Sequence, residues 1–307
     1  MPVSAGKSET VSCACCSGVN FKPTLDCDGF SFVRCVKCNL VQRNPRFKEE
    51  DIIARYKTSF GNDYLSYELK NEEAFLKLQM LALADAGFYK LEKQYFQRAD
   101  KTGANADVSL IRNFSVLEPQ VQEPSVLDIG CATGALLSYL RERGWRVTGV
   151  EISPSAEYAQ KERSLDVKNI PLEKNNFPSE SFNVIHASHL IEHLNDPKTF
   201  LDECFRVLKK DGTIFLTTPD ISGFQARLFG SNWRSAIFDH LYLFSKSTLK
   251  KMLKNAGFKK IHFRTWGGLA AGALTENGFS KCLKKAADRL AKLFNCGDVM
   301  IVRAKKI

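Results

Sequence analysis

From Pro124 onward, short aliphatic runs alternate with amphipathic stretches, and this alternation narrows the choice of fold more than any other feature of the chain. The runs that read as strands are 125–129, 146–151, 182–187, 212–217, 260–266 and 298–304, with a weaker one at 167–170. Between them, apolar residues recur at three- and four-residue spacings over 134–143, 154–163, 197–208, 246–256 and 279–294, the period of helices with one buried face. Strands this apolar are buried on both faces, and parallel neighbours need a helical crossover, so the pattern predicts an open α/β sheet covered on both sides. Ahead of it, 11–46 is cysteine-rich with a short β-type run near 29–33. Residues 46–96 carry helical periodicity (Phe75, Leu78, Leu81, Phe88, Leu91), and polar residues at 98–107 read as a linker.

The first strand runs through Val126-Leu127-Asp128-Ile129 into Gly130-Cys131-Ala132-Thr133-Gly134 and then a helix. Glycines let the backbone approach a ligand closely, and the start of the following helix presents free N–H groups at the positive end of its dipole. A dinucleotide fingerprint would need a second glycine where Ala132 stands, which argues against close approach of a pyrophosphate. The second strand ends on Glu151, a carboxylate able to accept hydrogen bonds from both hydroxyls of a ribose. The combination points to a nucleoside-type ligand at the carboxyl end of the strands.

Asp128 to Gly134, Glu151, Phe177 to Ile185 (FPSESFNVI), Leu190-Ile191-Glu192-His193-Leu194 and Arg206 to Gly212 (RVLKKDG) together resemble the class I S-adenosylmethionine-dependent methyltransferases over roughly residues 120–265. The resemblance implies a Rossmann-like, seven-stranded α/β sheet whose last strand, near 298–304, is antiparallel. It also implies roles by position. Asp128, Gly130, Cys131, Ala132, Thr133 and Gly134 would lie against the methionine part of the cofactor and Glu151 would bind the ribose. Ile152 would lie beside the adenine, with Pro171 or Leu172 at its edge, and Ser188 and His189 would lie near the cofactor's carboxyl end or the acceptor. Three positions depart from the usual pattern: Ala132, Asn183 in place of Asp, and Lys210-Asp211 in place of Pro-Gly.

Cys13-x-x-Cys16 and Cys35-x-x-Cys38 are separated by 18 residues, the spacing of a tetrahedral four-thiolate zinc site on two turns. The alternatives are unligated thiols or an iron–sulfur cluster. Four protein ligands leave no open position, so such a zinc is structural. Cys15 is a spare thiol in the first turn that could substitute for a neighbour, and Cys27, in the intervening loop, is not expected to be a ligand. With Gly29 to Cys35 and Asn39 to Arg46, this front part resembles a methyltransferase subgroup with an N-terminal zinc ribbon, often linked to glycan or natural-product biosynthesis. The expected organisation is a zinc ribbon (1–46), a helical cap or linker (47–119) and a class I methyltransferase domain (120–307).

Methyl transfer to a hydroxyl needs alignment and removal of a proton. Three of the five histidines, His186, His189 and His193, follow one another at the fourth strand, and His240 lies in the segment WRSAIFDHL. His240 or His189 is the candidate general base, against the plain alternative of structural histidines. Tyr56, Phe60, Tyr64 and Tyr67 are candidates for a lid, or simply core residues of a helix. No Asn/Asp-Pro-Pro-Tyr-type tetrapeptide follows the fourth strand, which disfavours exocyclic or amide nitrogens as acceptors.

Ten cysteines, no uninterrupted apolar run of about 18 residues and no apolar leader at the N-terminus lead to the expectation of a cytoplasmic protein. The net charge of +10 is uneven: residues 241–307 carry 15 basic and 3 acidic side chains. A basic amphipathic helix at 279–294 could touch an anionic membrane, or simply cover the sheet. The leading expectation is methyl transfer to a small-molecule or glycan acceptor, a hydroxyl or carbon nucleophile. RNA methylation is the second, disfavoured because residues 1–50 carry 7 basic against 5 acidic groups with no aromatic platform. A catalytically inactive binding module is the third. No oligomeric state is legible.

Overall fold

The computed structural model describes residues 8–56, 59–103, 123–267 and 288–307. Its centre is a seven-stranded sheet built from β6 (Ser125–Ile129), β7 (Arg146–Val150), β8 (Val167–Lys168), β9 (Phe182–Ser188), β10 (Leu208–Pro219), β12 (Lys259–Trp266) and β13 (Val299–Lys305). The order across the sheet is β12-β13-β10-β9-β6-β7-β8. Strands β6 to β10 pair in parallel, and β13 runs antiparallel between β10 and β12. This is the Rossmann-like class I methyltransferase sheet that the sequence predicts, antiparallel seventh strand included. All five residues of β6 are buried, as a central strand covered on both faces requires.

The crossover helices are α4 (Ala135–Glu142), α5 (Ser155–Arg163), α6 (Pro197–Val207) and α8 (Lys246–Asn255), with a short α7 (Phe224–Phe229) after β10. The front helical segment resolves into α1 (Glu49–Tyr56), α2 (Ser59–Asp85) and α3 (Phe88–Gly103). Residues 98–103, expected in a linker, continue α3: no proline interrupts them, and the helix ends at the first glycine. Glu92 of α3, 4% exposed, accepts hydrogen bonds from Arg143 and from Trp145 Nε1 (3.0 Å), fixing α3 to the edge of the sheet.

The N-terminal part contributes a second sheet, β2 (Phe21–Cys27), β3 (Phe30–Cys35) and β4 (Val41–Arg43), plus a two-stranded pair of β1 (Ser8–Glu9) with β5 (Arg46–Phe47). The second sheet takes its fourth strand, β11 (Tyr242–Leu243), from far along the chain. Cys13, Cys35, Cys38 and Leu40 belong to the same buried cluster as Leu127, Ile129 and Leu216 of the large sheet. Of the basic helix expected at 279–294, residues before 288 lie outside the described ones. Within 288–293, which is helical, Ala291 is buried while Leu290, Leu293 and the following Phe294 are exposed. No helix among the described residues is long and apolar enough to cross a membrane.

Candidate functional site

The turn after β6 is held from both sides. Gly130 N–H and Cys131 N–H both donate to the Val150 carbonyl at the end of β7 (2.7 and 3.3 Å). Gly130, Ala132 and Gly134 all have positive φ (71°, 47° and 78°), so Ala132 keeps the left-handed geometry that glycine would adopt more easily. Glu151 emerges from β7 almost fully buried. One of its carboxylate oxygens accepts Ala132 N–H (3.0 Å) and the other Ser153 N–H (2.8 Å). Each oxygen keeps further acceptor capacity.

Gly134 caps α4 without any side-chain hydrogen bond, so the first N–H groups of that helix have no side-chain acceptor at the cap. A buried carboxylate with spare lone pairs beside an uncapped helix start suits a ligand that carries hydroxyls at one end and a carboxylate at the other. Asp128, further back in β6, accepts a 2.7 Å hydrogen bond from His186 Nδ1, and both are buried. Cys131 is buried, and its thiol is pushed well up by burial and by the charges of Asp128 and Glu151. Leu172 is 3% exposed and belongs to the core cluster, while Ile152 is half-buried beside Glu151.

Helix α2 covers this end of the sheet. Thr133 Oγ1 donates to Glu72 (2.6 Å), and Arg163 of α5 pairs with the same carboxylate (2.6 Å). Glu68, one turn earlier, has its carboxyl raised, first by burial and then by the charges of Glu151 and Glu72, against a hydrogen bond with Tyr64. Tyr64 thus lies beside Glu68 on α2. Tyr67 is 55% exposed and packs on Phe75 instead. The side chains of Tyr56 and Phe60 lie outside the described residues. The sequence offered no sign of Glu68 or Glu72, since a glutamate on a helix usually marks a solvated face.

Beyond β9, Ser188 is half-buried and His189 has φ 52°, its N–H held by the Thr217 carbonyl (2.9 Å). His189 Nδ1 lies 3.1 Å from Glu192, and its side chain is 49% exposed. Glu192 is fully buried: burial would raise its carboxyl, but the hydrogen bond to His189 and the neighbouring His193 and His240 outweigh that and hold it at about 2. Thr218 Oγ1 donates to its other oxygen (2.9 Å). His193 and His240 meet edge to face, ring centroids 4.7 Å apart. Burial, reinforced by His193, lowers His240 to about 4.

The N-terminal sheet builds this wall. Arg43 stacks over Phe238 (3.9 Å to the ring centroid) and donates to its carbonyl (2.6 Å), and β4 pairs with β11 directly after His240. Arg46 donates to the Tyr242 hydroxyl and to the Asn195 carbonyl, both at 2.7 Å.

The four front cysteines converge, with Cys13 and Cys38 sulfurs 3.3 Å apart and Cys16 and Cys35 sulfurs 3.5 Å apart. All four lie within 4.8 Å of one another. The two turns repeat each other: Ser17 N–H donates to the Cys13 carbonyl and Asn39 N–H to the Cys35 carbonyl, while Cys13 and Cys35 N–H donate to Gly18 and Leu40. Ser17 and Asn39 are both left-handed. Burial works against ionisation of Cys35, but N–H groups of Cys38 and Lys37 pull it down to about 7. The sulfur spacing approaches the edge of a zinc–thiolate tetrahedron, ~3.8 Å for bonds of ~2.3 Å. Cys27, expected in a loop, ends strand β2 and lies against the Ser231 carbonyl.

A family model for a methyltransferase domain matches residues 101–262, more than half of the chain. The chain belongs to this methyltransferase domain family. The mitochondrial ubiquinone biosynthesis O-methyltransferase of Bos taurus is 31% identical over 122 residues, 36% of this chain and 33% of that protein. The ubiquinone biosynthesis O-methyltransferase of Idiomarina loihiensis is 34% identical over 101 residues, 30% and 41% of the two chains. That of Pseudomonas entomophila is 26% identical over 141 residues, 43% and 61%. The chain thus spans between a third and about three fifths of the length of these curated relatives. Among solved structures, a Thermotoga maritima S-adenosylmethionine-dependent methyltransferase, described as a possible histamine N-methyltransferase, is 24% identical. It covers 61% of this chain and 84% of its own at a TM-score of 0.47. In this methyltransferase domain the turn after β6, the carboxylate after β7 and the histidine cluster after β9 all lie on the carboxyl edge of the sheet, where ligands of such folds bind.

Proposed function

We propose that this chain transfers a methyl group from S-adenosylmethionine to a small acceptor, a hydroxyl of sugar or glycan type, with a carbon nucleophile as the second acceptor class. The observation that carries the reading is the buried Glu151 carboxylate facing the tight turn after β6 under the cover of α2. Asp128, Gly130, Cys131, Ala132, Thr133 and Gly134 would hold the methionine part of the cofactor, with Glu151 on the ribose hydroxyls. Ile152 and Leu172 would flank the adenine, and Ser188 would lie at the cofactor's carboxyl end. When bound, this cofactor supplies a methyl group on a positively charged sulfur. The relatives' being O-methyltransferases supports oxygen as the accepting atom.

Of the two candidate histidines, His189 reaches solvent and takes the acceptor's proton, whereas His240 is buried with Nδ1 on the Ser235 carbonyl (2.8 Å) and shapes the site. The four-cysteine centre (Cys13, Cys16, Cys35, Cys38) holds a structural zinc. We further propose that residues 1–46, 47–119 and 120–307 act as ribbon, cap and catalytic unit of a cytoplasmic enzyme. Calorimetric titration with S-adenosylhomocysteine tests the reading. The wild type should bind one equivalent, and Glu151→Ala, which removes two charge-assisted hydrogen bonds, should bind at least about a hundredfold more weakly. Unchanged affinity in Glu151→Ala, or no binding to the wild type, would overturn it.

A further inference from the structure

Behind His189 lies a group of side chains to which the methyl-transfer reading gives no chemical step. Glu192 is 0% exposed, and one ring nitrogen each of His193 and His240 lies within 4.8 Å of its carboxylate and of each other. These residues come from separate parts of the chain: Glu192 and His193 from the 3-10 turn Ile191–His193, His240 from the segment that the ribbon holds through Arg43.

The hydrogen bonds around the rings settle which nitrogen is available. His193 Nδ1 lies 2.9 Å from the Asp239 carbonyl and His240 Nδ1 lies 2.8 Å from the Ser235 carbonyl. A carbonyl only accepts, so each Nδ1 carries the hydrogen, and the neutral ring presents the Nε2 lone pair. Tying one ring nitrogen to a main-chain carbonyl is how metal-ligating imidazoles are oriented and made more basic. Glu192 is fixed in the same way, one oxygen against His189 Nδ1 (3.1 Å) and the other accepting from Thr218 Oγ1 (2.9 Å). The result is two imidazoles, each with a ring nitrogen within 4.8 Å of a buried carboxylate and of the other imidazole, an arrangement that calls for a cation.

We propose that Glu192, His193 and His240 form a second metal centre, a zinc site of two imidazoles and one carboxylate. It is distinct from the four-cysteine centre of the ribbon. Imidazole and carboxylate ligands suit a borderline divalent ion such as zinc, and three protein ligands leave a fourth position open. Resting on the methyl-transfer reading, that position takes the oxygen of the acceptor's hydroxyl. Coordination makes the hydroxyl easier to ionise. Its O–H bond breaks with the proton passing to His189, whose side chain is 49% exposed, and from there to solvent; the oxygen's electron pair forms the O–CH3 bond, and the S–CH3 bond breaks with its pair returning to sulfur. The chemical class of acceptor is thus an alcohol or phenol with an accessible oxygen, and amines fit less well.

The test counts metal on the full chain. Native mass spectrometry after exposure to zinc should give two zinc per wild-type chain and one in His193→Ala/His240→Ala. Titration of the wild type with cobalt(II) needs no variant: one equivalent should show thiolate charge-transfer absorption, and a second should add d–d bands without it. A single zinc in the wild type, or cobalt bound through thiolates alone, would overturn the proposal. So would two zinc retained in the double variant. S-adenosylhomocysteine binding measured on the same samples keeps the two readings apart: its absence with two metals present would remove the methyl-transfer reading and leave the metal centre standing.

Discussion

Gly134 has φ 78°, and a Cβ built on it would lie 2.4 Å from Leu165 Cδ1 and 3.2 Å from Ala159 Cβ. Gly134→Ala therefore combines a left-handed alanine with an overpacked contact, and should cost about 2 to 4 kcal/mol, lowering Tm by roughly 5 °C or more. Thermal unfolding by circular dichroism checks this, and an unchanged Tm would show that α5 can yield. Ala132, also left-handed, explains how this turn survives the loss of a glycine: a single small residue bears the strain. At this scale the turn, Glu151 and the four cysteines were legible because each is marked by residue types at short spacing. The partners of Glu72 and His240 were not, because Thr133, Arg163 and His193 reach them through folding, and no local pattern records it.

Helix α6 shows an element whose start was written plainly. Asp196 precedes Pro197, and its carboxylate accepts N–H bonds from Lys198 and Thr199 (both 3.0 Å) and the Thr199 hydroxyl (2.7 Å). Burial opposes ionisation of Asp196, but these donors outweigh it and lower its carboxyl below the ordinary 3.8. A depressed folded-state value means the stabilisation is fully present above pH 3.8 and is lost as pH falls through the lowered value. Asp196→Ala should cost about 1 kcal/mol at pH 7, and the gap from wild type should narrow as pH drops below that range. Chemical denaturation at several pH values reads it, and a gap constant down to pH 2 would contradict the assignment. Strand β10 was less legible: it begins at Leu208, and its register against β9 shifts between Leu208 and Thr213, placing the polar Lys209 to Asp211 inside a strand.

The whole molecule is more tightly joined than its sequence suggests. Cys13, Cys35 and Cys38 share one buried cluster with the large sheet, and β4 of the ribbon pairs with β11. Loss of one of the proposed zinc ligands should therefore destabilise everything at once. Cys38→Ser should lower the unfolding midpoint as a single transition, coincident by tryptophan fluorescence and far-UV circular dichroism, since removing a structural metal removes folding free energy. A main transition at the wild-type temperature would mean that the ribbon unfolds separately. The sequence by itself determined the strand and helix alternation, the two cysteine turns and the loop and carboxylate at the strand ends, because period and short spacing are properties of neighbours along the chain. Only the tertiary structure decided that Val41 pairs with Leu243, that α2 closes over the site through Glu72, and that His193 meets His240. Such contacts join segments whose complementary surfaces and unspent hydrogen-bonding groups become neighbours only once the sheet has formed.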